Sequence, residues 1–141
     1  MSRIFLDTSA YSAFMRGHPE IRHRIREASE IQLNPVVLGE LRAGFLKGVR
    51  QRENLAELAQ FLASPRVEVV AVDEETAQRY AVVLDSLRRA GTPIPTNDVW
   101  IAASAMQFGS ILVTTDPHFR VVVQIVVEIL QPELKRPKPG R

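Results

Sequence analysis

The stretch Ile4-Phe5-Leu6-Asp7-Thr8-Ser9 puts a carboxylate and two hydroxyls directly after a short apolar run. An apolar run of this length, followed by polar residues and then by helical spacing, predicts a buried strand that leads into the first helix. In an open parallel α/β sheet, this end of a strand faces the crevice in which ligands bind. Asp7 is therefore a candidate site residue, provided that other polar side chains reach the same edge of the sheet.

Beyond this stretch, short apolar runs alternate with segments of helical spacing. The runs predict strands at 3–6, 31–33, 67–72, 111–114 and 125–127. The helical spacing predicts helices at 9–16, 19–29, 36–47, 51–62, between Asp73 and Gly91, and at 97–106, with a short turn or helix at 117–120. Strands that alternate with helices favour a parallel sheet covered by helices on both faces.

The length of 141 residues and an ordinary composition, 45% hydrophobic and 24% charged, predict one domain at 1–130. The segment 131–141 carries three prolines and four basic residues, so we expect a tail that is mobile or ordered by a partner. No apolar run approaches the roughly 20 residues of a membrane span, and no leader pattern is visible, so the cytoplasm is the expected compartment. The absence of cysteine excludes disulfides and thiolate metal sites.

The basic residues are unusual in kind rather than in number. The formal net charge is only +2, but fifteen of the 18 basic residues are arginine. Arginine donates paired hydrogen bonds to phosphate, which favours a nucleic-acid partner. Solvated helix faces in an arginine-rich protein explain the same composition equally well.

The five aspartates separate into two groups. Asp73 precedes a helix as a cap, and Asp85 is a solvated helix residue near basic neighbours. Asp7, Asp98 and Asp116 stand in apolar settings, where an unpaired carboxylate is costly to bury. Asp7 and Asp116 each follow a strand, and neighbouring parallel strands end at one edge of a sheet, so these two carboxylates should converge.

Glu40 is a fourth candidate because its helix starts directly after the second strand, above the same edge. An acid at the border of the apolar stripe, paired with Arg42, is the alternative interpretation. Four carboxylates in one crevice require a counter-charge. Oxygen ligands without cysteine favour a hard cation such as Mg²⁺ or Mn²⁺.

The histidines do not show the spacing of a metal site. We expect His18 and His23 to lie at the surface. His118 follows Asp116 closely and is expected at most to touch a substrate.

Four pieces of this sequence together resemble the PIN-domain ribonucleases, and above all the VapC toxins of toxin-antitoxin pairs. They are Phe5-Leu6-Asp7-Thr8-Ser9, Gly39-Glu40-Leu41-Arg42, Pro95-Thr96-Asn97-Asp98 with the Trp100 helix, and Leu112-Val113-Thr114 with Asp116 and Phe119. The likeness covers about residues 4–128. Two departures stand out: Thr115 replaces a common Asn or Arg, and Gln124 replaces a common Gly.

The resemblance implies a three-layer α/β/α fold with a five-stranded parallel sheet and metal-dependent cleavage of RNA, leaving a 5′-phosphate and a 3′-hydroxyl. It further implies Mg²⁺ or Mn²⁺ as cofactor, a VapB-like antitoxin whose C-terminal segment fills a groove, and a homodimer. The implied catalytic and metal-binding acids are Asp7, Glu40, Asp98 and Asp116. The implied supporting polar residues are Thr8, Ser9, Asn97 and Thr114. Candidate RNA-binding residues are Arg42, Arg22 and Arg26.

Other functions remain open at the level of sequence. A PIN-domain nuclease of RNA maturation or decay would carry the same acids without a toxin role. A non-catalytic RNA-binding domain of the same fold would be expected to lose acids. Phosphoacceptor domains fit poorly, because they use a lysine at a strand end, and the three lysines here lie at a helix end and in the tail.

Overall fold

A five-stranded parallel sheet forms the centre of the computed structural model, which describes residues 2–132. The strands stand in the order β3-β2-β1-β4-β5, and every neighbouring pair is parallel. Their bounds are β1 Arg3–Leu6, β2 Glu30–Leu33, β3 Val67–Val69, β4 Ile111–Thr114 and β5 Val127–Ile129. The predicted α/β class is therefore confirmed, and the first strand of the chain lies in the middle of the sheet.

Helices cover both faces of this sheet. Three consecutive residues of β1, Ile4, Phe5 and Leu6, are 0% exposed, although adjacent side chains of a strand point to opposite faces. The helices are α1 Thr8–Met15, α2 Pro19–Glu27, α3 Pro35–Lys47, α4 Gln51–Leu62, α5 Glu74–Ala90 and α6 Thr96–Phe108, with a 3₁₀ helix at Pro117–Val121. The result is the three-layer α/β/α architecture.

Local capping sets where the helices around the sheet edge begin and end. The Asn34 side chain accepts a hydrogen bond from the Val37 N–H at 3.1 Å, and so starts α3 immediately after β2. Asp73 and Thr76 form a reciprocal capping box at the start of α5. Gly91 ends α5 with φ of 69°, a left-handed conformation that favours glycine.

Two strand predictions were wrong in extent. The outermost strand β5 is formed by Val127–Ile129 rather than 125–127, because Val127 is the residue paired with Leu112 of β4. The strand predicted at 67–72 ends at Val69. The last hydrogen bond between β3 and β2 is the one that the Val70 N–H donates to Leu33 O at 2.8 Å. Both strands are at sheet edges, where one neighbour rather than two defines the limits of pairing.

The prediction that His18 lies at the surface was wrong, because its residue is only 5% exposed. Its Nδ1 accepts a hydrogen bond from the Ile21 N–H at the start of α2, and its Nε2 contacts the carbonyl oxygen of Gln131. His23 is exposed as predicted and pairs with Glu27. Most of the tail predicted at 131–141 lies outside the described residues.

Within residues 2–132, none of the helices combines the length and the apolar character that crossing a membrane requires.

Candidate functional site

The order of the strands brings Asp7 and Asp116 to one edge of the sheet. Asp7 follows β1 and Asp116 follows β4, and these two strands are hydrogen-bonded neighbours. Asp98 is in the first turn of α6, and Glu40 is in α3. The four acids, which lie far apart in the sequence, form one cluster, which we call the carboxylate pocket. Ligand atoms of Asp98 and Asp116 lie within 4.8 Å of each other, Thr114 bonds to both Asp7 and Asp116, and Asn97, the neighbour of Asp98, bonds to Glu40.

Asp7 is almost fully buried, with 4% of the residue exposed. Its carboxylate accepts hydrogen bonds from Thr114 Oγ1 at 2.6 Å, from the Ala10 N–H at 2.8 Å and from Ser9 Oγ at 2.8 and 2.9 Å. Burial, with a smaller contribution from the charge of Asp116, raises the pKa of Asp7 to about 6 in spite of these three donors, which lower it. The side chain also caps α1, which holds the carboxylate at the end of β1.

Asp98 carries the clearest mark of a shared pocket. Burial and the negative charges of Asp116, Glu40 and Asp7 together raise its pKa from 3.8 to about 6. Only His118 acts in the opposite direction. A carboxyl group close to three other carboxylates keeps its proton to a higher pH, because like charges in a small volume repel one another.

Glu40 is tied to two of the predicted supporting residues. Its Oε1 accepts a hydrogen bond from Thr8 Oγ1 at 2.5 Å, and its Oε2 accepts one from Asn97 Nδ2 at 3.2 Å. Thr8 follows Asp7 directly, and Asn97 precedes Asp98 directly. Glu40 is therefore held between the end of β1 and the start of α6, and the alternative in which it pairs with Arg42 is not what the structure shows.

Thr114 joins the two strand-end acids. Its Oγ1 donates to Asp7 and accepts the backbone N–H of Asp116 at 2.9 Å. Ser9 completes the connection, because its Oγ also accepts the N–H of Thr115 at 3.1 Å. These hydroxyls are buried or half-buried, so they orient the carboxylates without offering a charge of their own.

The donor set suits a divalent cation. Asp98, Asp116 and His118 each offer one ligand atom, and these atoms lie within 4.8 Å of one another. Among the described residues, this tight group includes neither Asp7 nor Glu40, which add negative charge to the same pocket. Negative charges this close together favour a positive charge between them, and carboxylate oxygens are ligands that hard divalent ions prefer.

The candidate RNA-binding arginines Arg22, Arg26 and Arg42 are all exposed. The Arg22 guanidinium stands 5.8 Å from the centre of the Phe14 ring, and its Nε donates to Phe14 O at 3.5 Å. Arg26 is exposed on α2, and Arg42 is exposed on α3, two residues after Glu40. No hydrogen bond or ion pair within residues 2–132 connects these three arginines to the four acids.

His118 lies closer to the acids than the sequence predicted. Its Nδ1 lies 3.1 Å from Asp116 Oδ1 and 4.0 Å from Asp98 Oδ2. The signal in the sequence is its spacing of two residues after Asp116 across a proline, which places both side chains on one short 3₁₀ turn.

A groove lies between α1, α3 and α4. The apolar or aromatic residues that line it are Tyr11, Met15 and Phe45, and the polar ones are Ser12, Arg16, Arg50, Asn54 and Glu57. A second depression next to it is lined by Phe14, Met15 and Phe61 among others. The Phe61 ring meets Tyr11 edge-on at 5.2 Å and lies 5.5 Å from Phe14, so aromatic rings of the groove and of the second depression pack against one another. The Tyr11 hydroxyl is buried without a hydrogen-bond partner in the described part of the chain.

The model of the PIN domain family matches residues 4–124. Ribonuclease VapC4 of Mycobacterium tuberculosis is 32% identical over 92 residues, which are 65% of this chain and 71% of that protein. The tRNA(fMet)-specific endonuclease VapC of Salmonella typhimurium is 30% identical over 118 residues, 82% of this chain and 88% of that protein.

Solved structures of VapBC proteins are similar to this chain in fold. The DNA-bound VapBC of Salmonella typhimurium superposes with a TM-score of 0.79 at 28% identity and covers 91% of this chain and 98% of that one. VapBC-5 of Mycobacterium tuberculosis, a toxin-antitoxin system, superposes with a TM-score of 0.71 at 27% identity, covering 93% and 99%.

Proposed function

Since the chain belongs to the PIN-domain family, we propose that it is a metal-dependent endoribonuclease and the toxin of a type II toxin-antitoxin pair. The observation that carries the proposal is the carboxylate pocket, in which the pKa of Asp98 is raised by burial and by three other acids. Such a pocket requires a positive counter-charge, and a divalent cation is the simplest one. The VapC relatives, which are ribonucleases by name, support RNA as the substrate.

Asp7, Glu40, Asp98 and Asp116 would hold Mg²⁺ or Mn²⁺, directly or through water. Either ion, when bound, lowers the pKa of a coordinated water and neutralises charge on a phosphate. The chain's own residues do the positioning. Thr114 and Ser9 orient Asp7, while Thr8 and Asn97 orient Glu40, through hydrogen bonds to the carboxylate oxygens.

RNA would approach over the exposed residues around the pocket. Arg42 is the preferred phosphate-binding candidate, because it is exposed and shares α3 with Glu40. Arg22 and Arg26 stay candidates for contacts farther along the RNA, since both are on α2. Arginine contacts to phosphate would make binding weaken steeply with added salt. The cytoplasm remains the expected compartment, because its RNA is the proposed substrate.

We infer that a VapB-like antitoxin occupies the groove between α1, α3 and α4. Tyr11, Met15 and Phe45 give this groove an apolar part, and the polar residues Ser12, Arg16, Arg50, Asn54 and Glu57 line the rest of it. The VapBC complexes among the solved relatives support a partner of this class. A Phe45→Asp substitution should abolish rescue by the cognate antitoxin in cells while RNA cleavage in vitro persists.

A homodimer is also proposed, and sedimentation of the purified chain tests it.

The deciding experiment incubates the purified chain with transfer, ribosomal and messenger RNA in Mg²⁺, in Mn²⁺ and in chelator. We expect endonucleolytic cuts with either ion and none in chelator. Asp98→Asn should lower the rate by about 100-fold or more, because even outer-shell partners of a metal site contribute roughly 10–100-fold. Asp85→Asn is the matched control: this exposed aspartate pairs with Arg89 on α5 and should cut normally.

This experiment, together with expression and deletion of the gene in cells, separates the alternatives. Undiminished cutting by a folded Asp98→Asn protein would contradict the catalytic assignment. RNA binding without any cleavage would favour the non-catalytic RNA-binding domain. Cleavage in vitro without growth arrest on expression, and with precursor RNAs accumulating when the gene is deleted, would favour a nuclease of RNA maturation.

A further inference from the structure

His118 reaches the carboxylate pocket because of how the chain leaves β4. The Asp116 carboxylate accepts the backbone N–H of His118 at 2.9 Å and so caps the 3₁₀ helix. Pro117 occupies the first position of this turn, where its fixed φ is favourable. Phe119 is 0% exposed and anchors the turn in the core, while the His118 side chain remains 58% exposed on the pocket side.

The distances fit more than a single hydrogen bond. His118 Nδ1 is 3.1 Å from Asp116 Oδ1 and 4.0 Å from Asp98 Oδ2. Ligands of an octahedral ion at roughly 2.1 Å stand about 3 Å apart at adjacent corners and about 4.2 Å apart at opposite corners. Both separations of the imidazole nitrogen therefore fall within the range that three ligands of one ion adopt.

We propose that His118 supplies a nitrogen ligand to the cation held by Asp98 and Asp116, so that the site selects Mn²⁺ and later transition ions over Mg²⁺. The inference rests on the metal site of the proposed function. Imidazole nitrogen is a better ligand for transition ions than for Mg²⁺, which takes oxygen ligands and dehydrates reluctantly. Carboxylate ligands alone discriminate less strongly between these ions.

The competing interpretation is that the imidazole only donates a hydrogen bond to Asp116 and orients it. In that case every ion would lose affinity alike when His118 is removed, because the imidazole would act through the carboxylate. It would also leave no nitrogen bound to the metal. These two differences decide between a ligand and a positioning residue.

The test uses the full chain without any affinity tag and has Mn²⁺ and Co²⁺ as probes. Pulsed electron paramagnetic resonance of bound Mn²⁺ should show coupling to one directly bound ¹⁴N nucleus, and incorporation of ¹⁵N-histidine should convert it to ¹⁵N coupling. His118→Ala should remove the coupling. In calorimetric titrations, His118→Ala should weaken Co²⁺ binding about tenfold or more and Mg²⁺ binding less than about threefold.

His23→Ala is the matched control. His23 is an exposed histidine that pairs with Glu27 on α2, and its loss should change neither the coupling nor the affinities. The ¹⁵N-histidine measurement is made on the unsubstituted protein, so the test holds even if His118→Ala does not fold. Absence of histidine coupling in that protein, or equal losses of Co²⁺ and Mg²⁺ affinity in the variant, would overturn the proposal.

RNA cleavage in Mg²⁺ is measured on the same preparations, which separates the two proposals. Cleavage without histidine coupling would leave the nuclease in place and remove His118 from the ion. Histidine coupling without cleavage would keep His118 as a ligand and contradict the proposed function.

Discussion

Replacement of Asp98 by asparagine should stabilise the metal-free protein while abolishing its activity. Asparagine has the size and shape of aspartate but carries no charge. At pH 7.5 the Asp98 carboxylate is ionised beside Asp116, Glu40 and Asp7, which together with burial raise its pKa from 3.8 to about 6. The folded state therefore accommodates this ionised group less well than the unfolded state does.

The shift of roughly two pKa units corresponds to about 3 kcal/mol at 1.36 kcal/mol per unit. The pocket is open to water and salt, which screen the repulsion, so we expect on the order of 1–2 kcal/mol. At about 3 °C per kcal/mol for a domain of this size, Asp98→Asn should raise the melting temperature in chelator by roughly 3–6 °C.

The sign of the pH dependence follows from linkage. The folded protein binds the Asp98 proton more tightly than the unfolded chain, so this contribution to stability is fully present below about pH 3.8 and is lost as the pH rises through about 6. The asparagine side chain of the variant has no such proton. The advantage of the variant should therefore be full above about pH 7, shrink between pH 6 and 4, and vanish at the lower end.

Differential scanning fluorimetry in chelator, from pH 4 to 8, measures this difference, and a repeat in Mg²⁺ should favour the unsubstituted protein instead. Asp85→Asn, at an exposed position paired with Arg89, should show no advantage that depends on pH in this way. An Asp98→Asn protein that is less stable than the original at pH 7.5 in chelator, or an advantage that is constant across this range, would refute the electrostatic account.

Three further substitutions test a hydrogen bond at the site and two backbone positions elsewhere in the fold. Thr114→Val removes the hydroxyl that donates to Asp7 at 2.6 Å; chemical denaturation should show a loss of about 1–3 kcal/mol, and the Mg²⁺-induced rise in melting temperature should shrink. Gly91→Ala should destabilise the chain by roughly 1–2 kcal/mol, because φ is 69° there. Gly44→Ala, in the middle of α3 with nothing within 4 Å of the added methyl group, should stabilise it by about 0.5–1 kcal/mol under the same denaturation.

The sequence predicted all five strands of the sheet but not the correct bounds of every strand. β1, β2 and β4 were predicted to within a residue, because each is a largely apolar run bounded by polar or turn residues. The segment 121–127 is apolar except for Gln124, so its composition allows more than one position for a strand. Only its pairing with Leu112 selects Val127–Ile129, and that pairing depends on a residue fifteen positions earlier.

Among the titratable residues, the two histidines 18 and 118 show where local patterns end. His18 sits in a polar, arginine-rich segment that resembles a surface, yet it is buried because its ring contacts Gln131, which is 113 positions away. His118 stands near Asp116 in the sequence, but its approach to Asp98 depends on where α6 lies against β4. Neither contact can be predicted from the spacing of apolar and polar residues.

The sequence alone determined the local structure. The apolar run before Asp7, the Asn34 cap of α3 and the alternation of strands and helices each depend on a few neighbouring residues. The tertiary structure alone decided which acids share a pocket. Its sheet order, β3-β2-β1-β4-β5, sets Asp7 beside Asp116 and leaves Glu40 between Thr8 and Asn97. The physical reason is that helix and strand preferences act over a few residues, whereas the position of one element against another comes from packing contacts among residues far apart in the chain.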